Sequence, residues 1–213
     1  MTAVETAARK AAAGLLGRPD IAIVSRLVEP GSKVLDLGCG DGALLAWLVE
    51  HKQVEARGVE ISPECVRRSI AQGLPVYQGD IDKGLADYPD QCFDFVILSQ
   101  TLQQTHRPLT VLREMLRVGR RAIVSFPNFG HWSMRLSMLV SGRAPKTGLF
   151  PHEWHSSPNI HFLTIQDFEE LASAENLVVE RCIFLSGSRS LRWRPNLLAE
   201  VAVYLVSRSG IPG

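Results

Sequence analysis

Cysteine is scarce in this chain: four residues in 213, at Cys39, Cys65, Cys92 and Cys182. None forms a C-x-x-C pair or stands at zinc-ligand spacing, which argues against a disulfide framework and a cysteine-rich metal site; a reducing cytoplasm is the expected compartment. Long apolar runs are also missing. No stretch approaches the roughly 18 residues of a bilayer-crossing helix, so no membrane association is expected. The stretch Ala11 to Leu16 is shorter than a signal-peptide core and lacks a good cleavage site, so residues 1–17 are read as a flexible helical extension. Net charge is only +1, and although residues 101–213 carry 13 basic against 8 acidic side chains, no dense basic run occurs. Such scattered charge reads as a solvated face, with no nucleic-acid partner.

The composition that is present, 46% apolar and 21% charged over 213 residues, suits one globular domain spanning 1–213. Short apolar runs at Lys33 to Gly38, Ala56 to Ile61, Val76 to Gly79, Phe93 to Ser99 and Arg121 to Phe126 alternate with helical patterns. That alternation predicts an α/β fold with a parallel sheet covered on both faces. Ser62 followed by Pro63, and Thr164 followed by Asp167, carry helix-start signals. Leu177 to Leu185 and Glu200 to Ser207 predict a closing hairpin at one sheet edge. Residues 128–163, rich in proline, glycine, histidine and tryptophan with one helical candidate near Met134 to Val140, are read as a lid or interface insertion.

The strand Val34 to Leu37 runs into Gly38-Cys39-Gly40-Asp41-Gly42 and then into a helical pattern. Glycines at a strand-to-helix turn permit positive φ and close approach of a ligand, and the helix amino terminus offers N–H groups to an anion. The dinucleotide fingerprint G-x-G-x-x-G is not met, because the spacing is G-x-G-x-G, and this weakens a nicotinamide oxidoreductase reading. Asp36 lies inside the strand, where a carboxylate is costly unless it is hydrogen-bonded; it either braces the turn or meets a ligand ammonium. Glu60 ends the second strand, where doubly wound sheets place an acid for both ribose hydroxyls. Asp80 follows the third strand, where it could accept an adenine amino group with Ile81 over the ring, or else cap a helix or turn.

Taken in order, DLGCGDG, GVEIS, QGDID and FDFVILSQ resemble the class I S-adenosylmethionine-dependent methyltransferases. The resemblance implies a Rossmann-like, mostly parallel seven-stranded sheet with an antiparallel C-terminal hairpin and helices on both faces. It implies S-adenosylmethionine or S-adenosylhomocysteine as ligand, held by Asp36, Gly38, Cys39, Gly40, Asp41, Glu60, Ile61, Asp80, Ile81, Ser99 and Gln100. Arg18-Pro19-Asp20, the stretch Phe93 to Gln104, SFPNFGHW at 125–132 and PNIHFLTIQDF at 158–168 are further similar to the MetW family of methionine biosynthesis. That likeness implies action beside the homoserine O-acyltransferase MetX, with a methyltransferase acting on a small molecule as the alternative.

Methyl transfer from a sulfonium asks mainly for alignment and exclusion of water, so the lack of a catalytic motif decides little. Where an acceptor needs a base, His106, His131, His152, His155 and His161 are the candidates; the plainer reading is that they pack a lid or an interface. His152 and His155, with only Glu153 nearby, do not make a metal set, and none is expected.

Overall fold

The computed structural model describes residues 18–148 and 150–209; the extension expected over residues 1–17 lies outside the described residues. The described residues begin with helix α1 (Pro19–Leu27), then β1 (Lys33–Leu37), α2 (Ala43–Lys52), β2 (Glu55–Glu60), α3 (Pro63–Ala71) and β3 (Val76–Gln78). Next come β4 (Phe93–Ser99), α4 (Pro108–Val118), β5 (Gly119–Pro127), α5 (Trp132–Ser141) and α6 (Ile165–Ala174). Strands β6 (Leu177–Ser186) and β7 (Arg189–Leu191), the short helix α7 (Pro195–Leu198) and β8 (Val201–Arg208) complete it.

The strands form one sheet in the order β3-β2-β1-β4-β5-β8-β6-β7. The first five pair in parallel, and β8 enters antiparallel between β5 and β6. This is the expected class I methyltransferase arrangement with one addition. The Arg- and Ser-rich connection after β6 folds back as the three-residue strand β7, making the sheet eight-stranded.

Period-two alternation decides the two cores. Leu35, Leu37, Val96, Leu98, Val124 and Phe126 face one layer, against Met115 of α4 and Phe168 of α6. Val34, Phe95, Ile97 and Ile123 face the other, against α1 and α2. The crossover β1–α2–β2 thus covers one face and β4–α4–β5 the opposite one, so the winding reverses between the neighbours β1 and β4. In open α/β sheets a crevice opens at the carboxyl ends of the strands at such a reversal.

Local signals set the helix starts. Pro19, Pro63, Pro108 and Pro195 each occupy a first-turn position, where the missing N–H has no helical partner to lose. The Ser62 side chain accepts the Cys65 N–H at 3.4 Å. Thr164 and Asp167 close a reciprocal box, the Asp167 N–H reaching Thr164 Oγ1 at 3.2 Å and the Thr164 N–H reaching Asp167 Oδ2 at 2.9 Å. Because this box starts α6, which seats Phe168 in the core, Thr164→Ala should lower stability by about 1 kcal/mol. Urea unfolding checks this: the midpoint should fall with an unchanged m-value, and an unchanged midpoint would show the cap contributes nothing.

Candidate functional site

The turn between β1 and α2 is gripped from its neighbour. The N–H groups of Gly38 and Cys39 both donate to Val59 O, at 2.8 and 3.3 Å. Glu60 then crosslinks two chain reversals: Oε2 accepts the Gly40 N–H at 2.9 Å and Oε1 the Ser62 N–H at 2.8 Å. From α3, Ser69 Oγ donates to Gly40 O at 3.2 Å and Gln72 Nε2 to Asp41 O at 2.9 Å. Gly42 caps α2 with φ +80°, and a Cβ there would meet Leu74 Cδ1 at 2.5 Å, so a side chain is excluded on both grounds.

Two cavities meet at Gly38. One, of about 220 Å³, is lined by Glu60, Ile61, Asp80, Ile81 and Thr101 among others. The second, of about 290 Å³, is lined by Arg18, Asp36, Cys39, Gly40, Asp41 and Ser99 among others. Ten of the eleven residues expected to hold a ligand therefore border these two adjoining cavities at the carboxyl ends of β1, β2 and β4. Gln100 lines neither cavity. It has φ +56°, its N–H donates to Ser125 O at 2.9 Å, and its carbonyl accepts the Gln103 and Gln104 side-chain amides at 2.9 and 3.0 Å. Of the two readings of Asp80, turn capping is realised, with Oδ1 accepting the Asp82 N–H at 3.0 Å, while the residue still borders the first cavity.

The second cavity has the sharper electrostatics. Asp36 is only 3% exposed, and no hydrogen bond among the described residues reaches its carboxylate. Burial raises its pKa to about 7; the Arg18 charge works against that and Glu60 adds to it. Cys39 is carried by its backbone in this site, because burial, with Asp36 and Glu60 nearby, pushes its thiol well above the ordinary value and leaves no thiolate.

On the opposite wall, sequence reasoning expected Ser99 but gave Arg18 and Asp20, quoted only for a family likeness, no place in the site. Asp20, buried in α1, accepts Arg18 Nη2 at 2.6 Å, Ser99 Oγ at 3.1 Å and Ser125 Oγ at 3.1 Å, and Arg18 Nη2 also reaches Ser99 Oγ at 2.7 Å. The available signal was an acid in the first turn of a helix that otherwise buries Ile21 to Val24. Thr101, Gln104 and Thr105, beside the first cavity, were likewise missed.

The histidines separate by role. His131 is buried and caps α5, its Nδ1 2.7 Å from Ser133 Oγ, and burial lowers its pKa. His106, His152, His155 and His161 are exposed. None of the five borders either cavity. Among the described residues, no group of three or more His, Cys, Asp or Glu is placed to hold a metal, and no helix is long and apolar enough to cross a membrane. Residues 128–163 do return to the site: Gln103 O accepts the N–H groups of Ile160 and His161 at 2.8 and 3.1 Å.

Comparison with known proteins places the chain in a family. A sequence model of the family described as "Methionine biosynthesis protein MetW" matches residues 18–206. A bifunctional methionine biosynthesis protein MetXA/MetW of Rhodopirellula baltica is 37% identical over 201 residues; the match takes in 87% of this chain and 32% of that protein, so the chain spans about a third of the relative's length. A crystal structure of an S-adenosylmethionine-dependent methyltransferase from Mesorhizobium loti superposes with TM-score 0.65 at 15% identity, covering 90% of this chain and 99% of that one. The cyclase SpnF superposes with TM-score 0.63 at 16% identity, covering 88% and 80%. At such identities these two structures show the fold, and a fold that hosts a cyclase as well does not name a reaction.

The Asp36 environment yields a signed expectation. Its folded-state pKa of about 7 lies above the ordinary 3.8, so the folded protein resists an ionisation that the unfolded chain accepts, and this site costs stability increasingly as pH rises from about 4 to about 7. Asp36→Asn removes that cost. Relative to wild type the variant should gain stability with pH, by on the order of 4 kcal/mol across that window. Urea unfolding at pH 4.5 and 7.5 measures the difference; parallel behaviour of the two proteins would overturn it.

Proposed function

The chain belongs to the MetW family of methionine biosynthesis proteins, and on that premise we propose that it binds S-adenosylmethionine or S-adenosylhomocysteine and acts with homoserine O-acyltransferase, MetX, in forming O-acylhomoserine. The observation that carries the ligand reading is the crevice centred on Gly38, with a buried carboxylate on each side of the glycine turn. Glu60 spends one lone pair of each oxygen on Gly40 and Ser62. The remaining lone pairs suit two ribose hydroxyls, since a carboxylate offers about four acceptor sites. Ile61 and Ile81 provide apolar cover for an adenine beside Asp80. The Mesorhizobium loti neighbour, described as S-adenosylmethionine-dependent, supports the same ligand.

The partner reading is supported by the Rhodopirellula baltica relative, whose name joins MetXA and MetW in one chain. Covalent linkage holds two units at high effective concentration, which is useful where they act together. Residues 128–163 serve as the interface in this reading: Leu139, Val140 and Trp154 are 84%, 78% and 78% exposed, and large aromatic and apolar side chains are common anchors of protein contacts. Ligand occupancy then reports the supply of S-adenosylmethionine to the acyltransferase. The second reading, methyl transfer to a small molecule, draws on the sulfonium needing little covalent assistance.

Titration calorimetry with S-adenosylmethionine and S-adenosylhomocysteine should give a binding heat that Glu60→Ala weakens at least about tenfold, the effect of losing a charged acceptor. No heat, or an unchanged affinity in the variant, would overturn the ligand reading. For the partner, co-purification with homoserine O-acyltransferase from the same organism should give a complex, and the acylation rate in the mixture should change when S-adenosylmethionine is added. Trp154→Ala should break that complex while leaving ligand affinity intact. Absence of any complex, with methyl transfer by the isolated chain, would favour the second reading.

A further inference from the structure

Helix α5 is seated on the body of the protein by very little. Met134 is its one buried side chain, its sulfur accepting the Thr147 hydroxyl at 3.4 Å, and it joins neither of the two sheet cores. The opposite side of the helix is apolar and open. Trp132, Leu136, Leu139 and Val140 stand at i, i+4, i+7 and i+8, which gathers them into one stripe about 100° wide, and all four are exposed. None of them borders the two cavities at Gly38, so the stripe is not the inner lining of a lid.

A hollow with two arginines on its wall adjoins the stripe. Arg135 lies one turn from Trp132 and one from Leu139 on the helix surface, and with Arg194 it borders a cavity of about 370 Å³ between α5, α6 and α7. Among the described residues neither guanidinium is paired with an acid: Arg135 Nε donates to Gly130 O at 2.6 Å, and Arg194 lies over the Trp193 ring, 4.9 Å from its centroid. The acid on that wall, Glu169, accepts the Tyr204 hydroxyl at 3.1 Å. Arg194 is held there against its backbone preference. Its φ is +44°, in the region that favours glycine, and its carbonyl accepts the Leu197 and Leu198 N–H groups at 3.0 and 3.1 Å. Glycine would make the same turn with less strain. The guanidinium is what arginine adds.

Tryptophan and arginine beside an apolar stripe are the usual centre of a protein contact, and apolar anchors at i, i+4 and i+7 are those of a helix laid into a groove. Charge decides among the occupants. A second copy docking by this face would bring guanidinium to guanidinium, whereas a carboxylate-bearing surface would meet both arginines.

We propose that α5 is the docking helix for the homoserine O-acyltransferase: its stripe enters an apolar groove of that partner, and Arg135 and Arg194 receive carboxylates at the rim of the groove. The inference rests on the partner reading above. It adds the face that makes the contact, a residue from outside the 128–163 insertion, and the sign of the charge on the other side.

The test measures the affinity of wild type, Leu139→Glu and Arg194→Gly for homoserine O-acyltransferase from the same organism, with the S-adenosylmethionine affinity and the urea midpoint of each. Leu139→Glu should weaken the complex at least about thirtyfold, the loss of a contact centre. Arg194→Gly should weaken it about tenfold while its urea midpoint does not fall, and affinity lost without stability is a result that a merely structural role does not give. Added salt should weaken the wild-type complex more than the Arg194→Gly complex. The ligand affinity should stay level in both variants. Because Leu139 is exposed, Leu139→Glu keeps the test open whatever Arg194→Gly does to the fold. A wild-type complex whose affinity survives in either variant overturns the docking face while leaving the partner reading in place. Sedimentation showing a wild-type dimer that Leu139→Glu dissociates gives the face to a second copy and likewise overturns the inference. No complex with the wild type overturns the partner reading itself, and this inference with it.

Discussion

The carboxylate of Glu60 ties together the part of the molecule on which the site depends. One oxygen holds the glycine turn after β1 and the other holds the start of α3 after β2, so two adjacent chain reversals share one anchor. Without it, the Gly40 N–H would lose its acceptor, and the turn would be held beyond the β1–β2 ladder by the Val59 carbonyl and by Ser69 and Gln72 of α3. The anchor has a cost. A second carboxylate, Asp36, lies close enough to feel its charge, and both are buried. Concentrated negative charge with limited solvation destabilises a folded chain unless a cation or a ligand meets it.

Arg18 is the counterweight that the fold supplies, delivered from outside the sheet. Helix α1 packs on the layer that also receives α2, and its first turn brings Asp20 under the ends of β4 and β5. The result is a crevice with acid on the β1 and β2 side and an anchored guanidinium on the β4 side. That asymmetry distinguishes this site from a bare glycine-rich turn, which would offer backbone N–H groups to any anion.

The insertion between β5 and α6 connects the crevice to the outer surface. Its far end docks by two backbone bonds on the turn that also presents Thr101, Gln104 and Thr105, while Phe129 packs tilted against Phe150 and Phe162 with ring centroids 4.2 and 4.4 Å apart. The same segment carries the most exposed apolar side chains of the described residues, Leu139 among them. Under the proposed function, a segment that touches the turn beside the crevice with one end and offers apolar surface with the other would couple ligand occupancy to the partner. Its histidines, read as possible bases from the sequence, instead cap a helix or face solvent.

The sequence by itself determined the strand and helix pattern, the capped starts at Ser62 and Thr164, and the crevice residues from Asp36 to Asp41 with Glu60. Each of these follows from local rules: apolar period, capping chemistry and the φ freedom of glycine act over a few residues and are written where they act. The tertiary structure alone decided that Asp20 and Arg18 reach Ser99 and Ser125, roughly 80 to 105 positions away, that Gln100 turns aside from the cavity, and that a short seventh strand extends the sheet edge. It also decided that Asp36 has no hydrogen-bond donor among the described residues while Glu60 takes two. Those outcomes depend on which strand ends are brought side by side by the winding reversal at β1 and β4, a long-range packing result that no local pattern encodes.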